Sequence, residues 1–327
     1  MAARYNNLAA VSPAGRAGHA IATAAAQPDA LAVTQGLLLF AVTAWGASFV
    51  AARTILSAPP GQVSLTPTLL AAVRFLIASA FFGPVLLLRQ VRRKGIEARD
   101  LPLFLLLGTL AVSLYFFLQY TGVRLTNAGV SAVIVVGGIP PATMAVSALM
   151  DRESLGLGKA LAVACGAVGI AIVATQRGLS VALGGGFLLG ALCLALDAVC
   201  FGFYSVLVRR MRARYSPVTI TAATTLMGTL GLVAVSAVVD DWGTLRLLSA
   251  GQWGAVAYLA VVCSILAYLA YNRALVTFPA ARAAVWIYLE SPVAIVLGVV
   301  LLGEKVAAMT VVGALVIIGS LLAAERG

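Results

Sequence analysis

Long apolar runs, each about the length of a bilayer-crossing helix, dominate the chain, and short connections between them hold the charges, prolines and glycines. The first set falls near residues 33–52, 67–88, 101–121, 128–149 and 156–174. A second set follows near 183–208, 217–238, 252–275, 280–302 and 306–324. About 20 mostly apolar residues cross roughly 30 Å of hydrocarbon as a helix. Lipid gives the backbone no hydrogen-bond partner, so a spanning segment is either a helix or part of a closed barrel. These runs are continuous rather than alternating every second residue, which excludes the barrel. The expected fold class is all-α integral membrane, with ten transmembrane helices. Only 10% of residues are charged and 62% are hydrophobic, whereas soluble domains are roughly a quarter charged. A soluble enzyme is excluded.

The formal charge of +11 has a topological reading. Basic residues sit in the connections, with no aromatic-interleaved basic surface to track a phosphate backbone, so no nucleic-acid partner is expected. With the N-terminus inside, fifteen of the 22 Lys and Arg fall on the inner side, densest at Arg89, Arg92, Arg93 and Lys94 and at Arg209, Arg210, Arg212 and Arg214. Five fall outside (Arg53, Arg124, Arg177, Arg246, Lys305), and Arg74 and Arg273 lie within spans. The positive-inside rule then places both termini in the cytoplasm and the protein in the plasma (inner) membrane. Residues 1–31 lack the sustained apolar core of a signal peptide and read as a flexible cytoplasmic tail. Cys165, Cys193, Cys200 and Cys263 lie inside apolar runs without CxxC spacing, and read as small core residues. The lone histidine, His19, is in the tail. No metal and no cofactor are expected.

The second half restates the first. At an offset of 151, Tyr120 matches Tyr271, Thr126 matches Thr277, Ala132 matches Ala283, Pro141 matches Pro292 and Glu153 matches Glu304. At an offset of 156, Gly46 matches Gly202, Val50 matches Val206 and Arg53 matches Arg209, with Trp45 meeting Phe201. The boundaries this suggests are a first five-helix repeat over 32–176 and a second over 177–327. Five is odd, so the second repeat enters the membrane from the opposite side. Inverted repeats hold a substrate site near the bilayer midplane and rock to alternate access.

These repeated segments carry a resemblance. Trp45-Gly46-Ala47-Ser48-Phe49, Arg74-Phe75, Tyr271-Asn272-Arg273-Ala274-Leu275 and Leu301-Leu302-Gly303-Glu304 resemble, in order and spacing, the ten-helix EamA-type branch of the drug/metabolite transporter superfamily. The likeness covers about residues 33–324. It implies a basket of helices around a central cavity lined by the first, third, fourth, sixth, eighth and ninth, and export of amino acids or related small metabolites. Members often carry Glu directly before the ninth-helix proline, whereas here Ser291 separates Glu290 from Pro292.

Several intramembrane residues are candidates for substrate binding. An ionised Asp197 in the middle of the sixth span costs about 2.5–3.5 kcal/mol on insertion scales, so it should face a cavity or a partner. It could bind a substrate amine or exchange a coupling proton; the alternative is a structural pair. Glu290, one turn from Trp286, offers the same two uses or a helix–helix hydrogen bond. Arg74 could snorkel, pair with Asp197 or Glu290, or bind a substrate carboxylate; Arg273 reads as snorkelling. Trp45, Phe49, Tyr115, Tyr120, Tyr204, Tyr268, Tyr271, Trp286 and Tyr288 could line an amphipathic cavity or form interfacial belts. Ser48, Gln119 and Asn272 could supply neutral hydrogen bonds, or join helices at about 0.6 kcal/mol each. Pro140, Pro141 and Pro292 free backbone carbonyls and could act as hinges or fixed kinks. Glu153 and Glu304 begin the fifth and tenth helices, where capping is the leading reading. Gly166, Gly169, Gly313 and Gly319 would let those two helices pack closely, or form a dimer contact.

The expected function is a secondary transporter for a small-molecule substrate, in contact with the lipid bilayer, with proton coupling and facilitated diffusion as the two alternatives for its drive, as a monomer or homodimer. No Walker A pattern supports direct use of ATP. Efflux of cationic or aromatic drugs is an alternative, although small four-helix multidrug relatives depend on a first-helix glutamate and this first span has no acidic residue. A non-transporting scaffold or an intramembrane enzyme is the alternative from another class. The enzyme would have no membrane histidine and no GxSxG or HExxH motif.

Overall fold

The computed structural model describes residues 28–92, 94–151, 157–175, 186–274 and 286–326, and every described regular element is helical. The helices are α1 (Pro28–Leu56), α2 (Pro67–Val91), α3 (Ala98–Leu125), α4 (Ala128–Asp151) and α5 (Leu157–Ala174). Then come α6 (Gly186–Met211), α7 (Pro217–Val239), α8 (250–274), α9 (Glu290–Leu302) and α10 (Ala308–Arg326). Seven of them, α1 to α4 and α6 to α8, are long and apolar enough to cross a membrane. The apolar stretches of α5 and α9 are shorter, Val163–Ala174 and Glu290–Leu302. Arg93, Arg152, Glu153, Arg177, Thr277, Arg282 and Ala283 lie outside the described residues, as does the tail through residue 27.

Helix starts follow local chemistry. Thr66 accepts from the Leu69 amide at 3.1 Å and Ser216 from the Thr219 amide at 3.2 Å, each just before a proline that opens its helix. Ser249 and Gln252 form a reciprocal capping box at the start of α8. At the far end of α9, Gly303 takes the left-handed conformation (φ 64°) that a residue without Cβ adopts at no steric cost. Both α3 and α8 contain a π-helical stretch, Thr109–Ser113 and Tyr258–Leu266.

The connections gather at two faces. Loops 92–97 and 212–216 meet on one: the Tyr215 hydroxyl donates to Asp100, Arg214 pairs with Asp100 at 2.7 Å, and the Glu97 amide donates to Tyr215 at 3.1 Å. This face carries Arg89, Arg92, Lys94, Arg99, Arg209, Arg210, Arg212 and Arg214, and we call it the basic face. On the other, Thr66 donates to Asp240 at 2.5 Å, Gln252 to the Val63 carbonyl at 2.6 Å, and Arg53 to the Val123 carbonyl at 2.7 Å.

Glu304 belongs to this second face but does not cap its own helix. Its carboxylate accepts the Ala128 and Gly129 amides at 2.9 and 3.3 Å, so it closes the start of α4, where Asn127 takes the Val130 amide at 2.8 Å. The expectation of a cap survives with a different recipient. A loop glutamate can reach a neighbour's unpaired amides as readily as its own.

Packing separates the helices into roles. α5 and α10 pair with each other, where a Cβ on Gly313 would lie 2.4 Å from Val173 and 2.8 Å from the Gly169 carbonyl. Gly166 instead abuts Pro141 of α4, and Gly319 touches nothing within 4 Å. α2 packs along α7, α4 along α6, and α9 along α1. Large apolar side chains such as Leu87, Val238, Leu301 and Leu315 point outward, each more than half exposed. Arg74, Asp197, Gln119 and Glu290 are buried. Apolar outside and polar inside is the arrangement lipid selects.

Candidate functional site

The cavity is assembled from one-face stripes, because residues three and four apart share a side of a helix. α1 contributes Trp45, Ser48 and Phe49; α3 contributes Tyr115, Phe116 and Gln119; α4 contributes Val135, Val136 and Ile139. α6 adds Phe201, Tyr204, Ser205 and Val208, continued by Arg212; α8 adds Tyr268 and Tyr271; α9 adds Glu290, and Ile287 joins from just before it. The enclosed volume is about 420 Å³, within the range of small-molecule sites. The lining extends from Arg74 and Gln119 inside to Arg209, Arg212, Pro217 and Thr221 at the basic face. Among the described residues, no loop of the opposite face contributes, so the cavity is entered from the basic side.

The aromatic wall is fixed by hydrogen bonds as well as by ring contacts. Trp45 donates from Nε1 to the Cys263 carbonyl at 3.0 Å, within the π-helical stretch of α8. Its ring meets Tyr268 edge-on at 5.2 Å and Tyr271 at 5.4 Å between centroids. Tyr115 packs against Phe116 and Phe201 at 4.8 and 5.7 Å, and its hydroxyl accepts from Gln119 at 3.1 Å. Ser48 donates back to the Trp45 carbonyl at 2.6 Å.

Glu290 opens α9 immediately after a turn at Tyr288 and Leu289. Pro292 lacks the amide that would bond the Tyr288 carbonyl, which explains a break at that point. The Glu290 side chain is 8% exposed, lines the cavity, and has no hydrogen-bond partner among the described residues. The adjoining Ser291 donates to the Ala132 carbonyl of α4 at 3.2 Å. One residue of displacement from the proline thus separates a carboxylate facing the cavity from a hydroxyl that joins α9 to α4.

Asp197 is placed differently. It lies one turn deeper than Phe201 on the α6 stripe, fully enclosed and absent from the cavity lining; neither carboxylate oxygen has a hydrogen-bond partner among the described residues. Trp286 packs with Leu37 and Tyr271 around Leu38 and Ala274 rather than on the cavity. The Asn272 side chain lies outside the described residues, and Arg273 is exposed. Pro140 and Pro141 sit within a continuous α4, with the Pro141 ring against Gly166.

Arg74 is where sequence reasoning fell shortest. It pairs with neither Asp197 nor Glu290. Its Nε donates to Ser264 at 2.8 Å and Nη1 to Tyr120 at 2.7 Å, and the guanidinium lies 4.5 Å over the Phe116 ring. It belongs to the cavity wall, so α2 joins the expected six helices, and α7 joins them at the basic end. Arg209 and Arg212, read from sequence only as topology signals, border the entrance; their i+4 and i+7/i+8 spacing from Tyr204, Ser205 and Phe201 was the available clue.

A second hollow of about 1040 Å³ lies at the opposite face, lined by Arg53, Gln62, Asn127, Gln252, Tyr258, Glu304 and Lys305 among others. α1 divides the two, with Ala47, Val50 and Ala51 toward this one and Trp45, Ser48 and Phe49 toward the first.

Such a polar, aromatic cavity inside a bundle of apolar helices fits passage of a small molecule, and the comparisons agree. The profile of the EamA-like transporter family matches residues 34–175 and again residues 188–324. The chain belongs to the EamA-like transporter family. It is therefore a multi-pass membrane protein of a transporter class, not an enzyme. The "Uncharacterized transporter YyaM" of Bacillus subtilis (strain 168) is 24% identical over 260 residues, 80% of this chain and 85% of that protein. The "Probable terminal-alkyne amino-acid exporter" of Streptantibioticus cattleyicolor is 26% identical over 292 residues, 88% of this chain and 92% of the exporter. A crystal structure of another protein at 21% identity aligns with a TM-score of 0.58 over 90% of this chain and 96% of its own, a likeness of fold.

Proposed function

We propose that the protein is a secondary transporter exporting amino acids or related small metabolites across the inner membrane by alternating access. The observation that carries this is the pair of hollows on opposite faces divided by α1, the inner one holding Glu290 amid Trp45, Tyr115, Tyr268 and Tyr271. In this reading all ten helices cross the bilayer as two inverted five-helix repeats, 32–176 and 177–327. Repeat-related glycines support it: a Cβ on Gly46 would lie 2.7 Å from the Glu290 carbonyl oxygen and 2.8 Å from Val293, just beside Pro292. One on Gly202 would lie 3.1 Å from Ala142 and Thr143, just past Pro141. The π-helical stretches of α3 and α8 also fall near the 151-residue offset, and the family profile matches twice in tandem.

With the basic face cytoplasmic, both termini are cytoplasmic and the cavity opens inward, ready to load a substrate for export. Glu290 receives the substrate ammonium between aromatic faces, which favour cations. Asp197, enclosed and unpaired, is a proton-exchange site whose ionised form is costly in lipid. The amino-acid substrate named for the Streptantibioticus relative agrees with this class. Efflux of cationic aromatic drugs is the second reading, favoured by the same rings around one carboxylate.

Proteoliposomes test these claims. Saturable uptake of labelled amino acids, reduced about tenfold or more by Glu290→Gln (the loss of a charge-assisted hydrogen bond), is expected. No flux for a broad metabolite panel would sink the transport assignment. Wild-type gradient dependence in both Asp197→Asn and Glu290→Gln would remove proton coupling through these groups.

A further inference from the structure

Arg74 is a buried cation with no carboxylate in contact. Lipid-embedded arginines ordinarily pair with an acid or reach an interface, yet this one is 2% exposed and does neither among the described residues. A guanidinium has five N–H groups; Nε and one of Nη1 are used, on Ser264 and Tyr120, which leaves three. Those two acceptors and the Phe75 and Phe116 rings, 5.1 and 4.5 Å from the guanidinium carbon, hold the head group in one orientation. The residue is fixed in place, charged, incompletely bonded, and part of the cavity lining.

The same cavity holds an acidic side chain, Glu290, which has no hydrogen-bond partner among the described residues. A chain of contacts connects the two. Arg74 is anchored on Ser264; the preceding Cys263 carbonyl takes the Trp45 indole; Gly46, next along α1, abuts the Glu290 backbone. Tyr115 and Tyr268 line the same cavity as both groups. The pair thus flanks one aromatic wall without neutralising itself.

We infer that Arg74 binds the carboxylate of a zwitterionic substrate whose ammonium sits on Glu290, so that the cavity is a two-point site for small molecules carrying both groups. The inference rests on the transport reading above and narrows its substrate class. A site of this kind rejects a substrate lacking either charge, because one buried group is then left without its partner. It also speaks against cationic drugs, which would approach an uncompensated guanidinium. Planar N–H pairs suit a carboxylate, which an ammonium at the same position would match less well.

The test is inhibition of labelled L-phenylalanine uptake into proteoliposomes by three unlabelled probes: L-phenylalanine, L-phenylalaninamide and N-acetyl-L-phenylalanine. Wild-type protein should prefer the intact amino acid to both derivatives by at least about tenfold. In Arg74→Gln the preference over the amide should collapse while that over the N-acetyl compound persists. In Glu290→Gln the pattern should reverse, and Arg74→Lys should restore part of the first preference. A purely structural Arg74 would lower labelled uptake while leaving the inhibition ratios of the three probes unchanged, so the ratios, and not the rates, decide. If Arg74→Gln is too damaged to transport, the same ratios are read from thermal stabilisation of purified Arg74→Lys and wild type by each probe. Equal ratios would then overturn the assignment. Amino-acid uptake with ratios unchanged in Arg74→Gln overturns the inference alone and leaves transport standing. Flux of the amide or of cationic dyes without the amino acid overturns the zwitterion and favours drug efflux. An absence of all flux overturns both.

Discussion

The seam between α2 and α7 and the wall formed by α4 and α9 are held by different means. Side-chain bonds run the whole length of the first: Thr66 to Asp240 at one end, Ser79 to Thr229 (2.8 Å) in the middle, and Arg89 to Ser216 (2.9 Å) at the basic face. The wall depends on close backbone approach and prolines. Gly46 and Gly202 let α1 and α6 press against α9 and α4, and its polar link is Ser291 to Ala132. Directional bonds fix a register, whereas smooth glycine contacts beside prolines permit sliding or bending. On the transport reading proposed above, the difference predicts stasis for α2–α7 and movement for α4 and α9.

The sharpest way to break that assignment is cross-linking. A Cβ on Gly129 would lie 3.1 Å from Ile295 Cγ1, so Gly129→Cys with Ile295→Cys can form a disulfide joining α4 to α9. Oxidation should abolish transport in proteoliposomes and reduction should restore it. Ser79→Cys with Thr229→Cys, across the seam, should leave transport near the reduced level. A reversed result would put the moving parts at α2–α7.

Next in size is crowding at the repeat-related glycines. Gly46→Val and Gly202→Val should each destabilise the protein by about 1–3 kcal/mol through overpacking, measured by thermal unfolding in detergent. Gly36→Ala, where nothing lies within 4 Å, serves as the neutral control. Removing the charged cap by Glu304→Gln should cost about 0.5–2 kcal/mol in the same assay. The smallest effect is expected from Ser79→Ala, about 0.6 kcal/mol for one interhelical hydrogen bond. A far larger loss there would mean the seam's bonds act as a cooperative network.

The sequence shows much of this and misses a definable part. Periodic apolar runs disclose the helices, and the constant offsets of Gly46/Gly202 and Pro141/Pro292 mark contacts that the fold uses. Trp45, Ser48, Phe49, Gln119, Tyr268 and Glu290 were legible because each is a polar or aromatic residue on an otherwise apolar helix. What could not be read depends on rotation and on distant partners. Trp286 and Glu290 are one turn apart, yet only Glu290 lines the cavity. Asp197 lies on the lining stripe but beyond the cavity's inner end, a matter of depth and not of face. Arg74 reads from sequence as snorkelling, pairing with an acid or binding a substrate carboxylate; its anchors are missed, since no periodicity announces that a π-helical stretch of α8 will present Ser264 to it. Glu304 was assigned to the nearest helix start, and its recipient lies 176 positions earlier.

That long reach has a bearing on biosynthesis. The first amides of α4 acquire their carboxylate only once Glu304, 176 positions after Ala128, has been made. Until then that end of the fourth helix lacks the acceptor that closes it in the folded protein. Completion of a helix in the first repeat is thus contingent on a loop of the second.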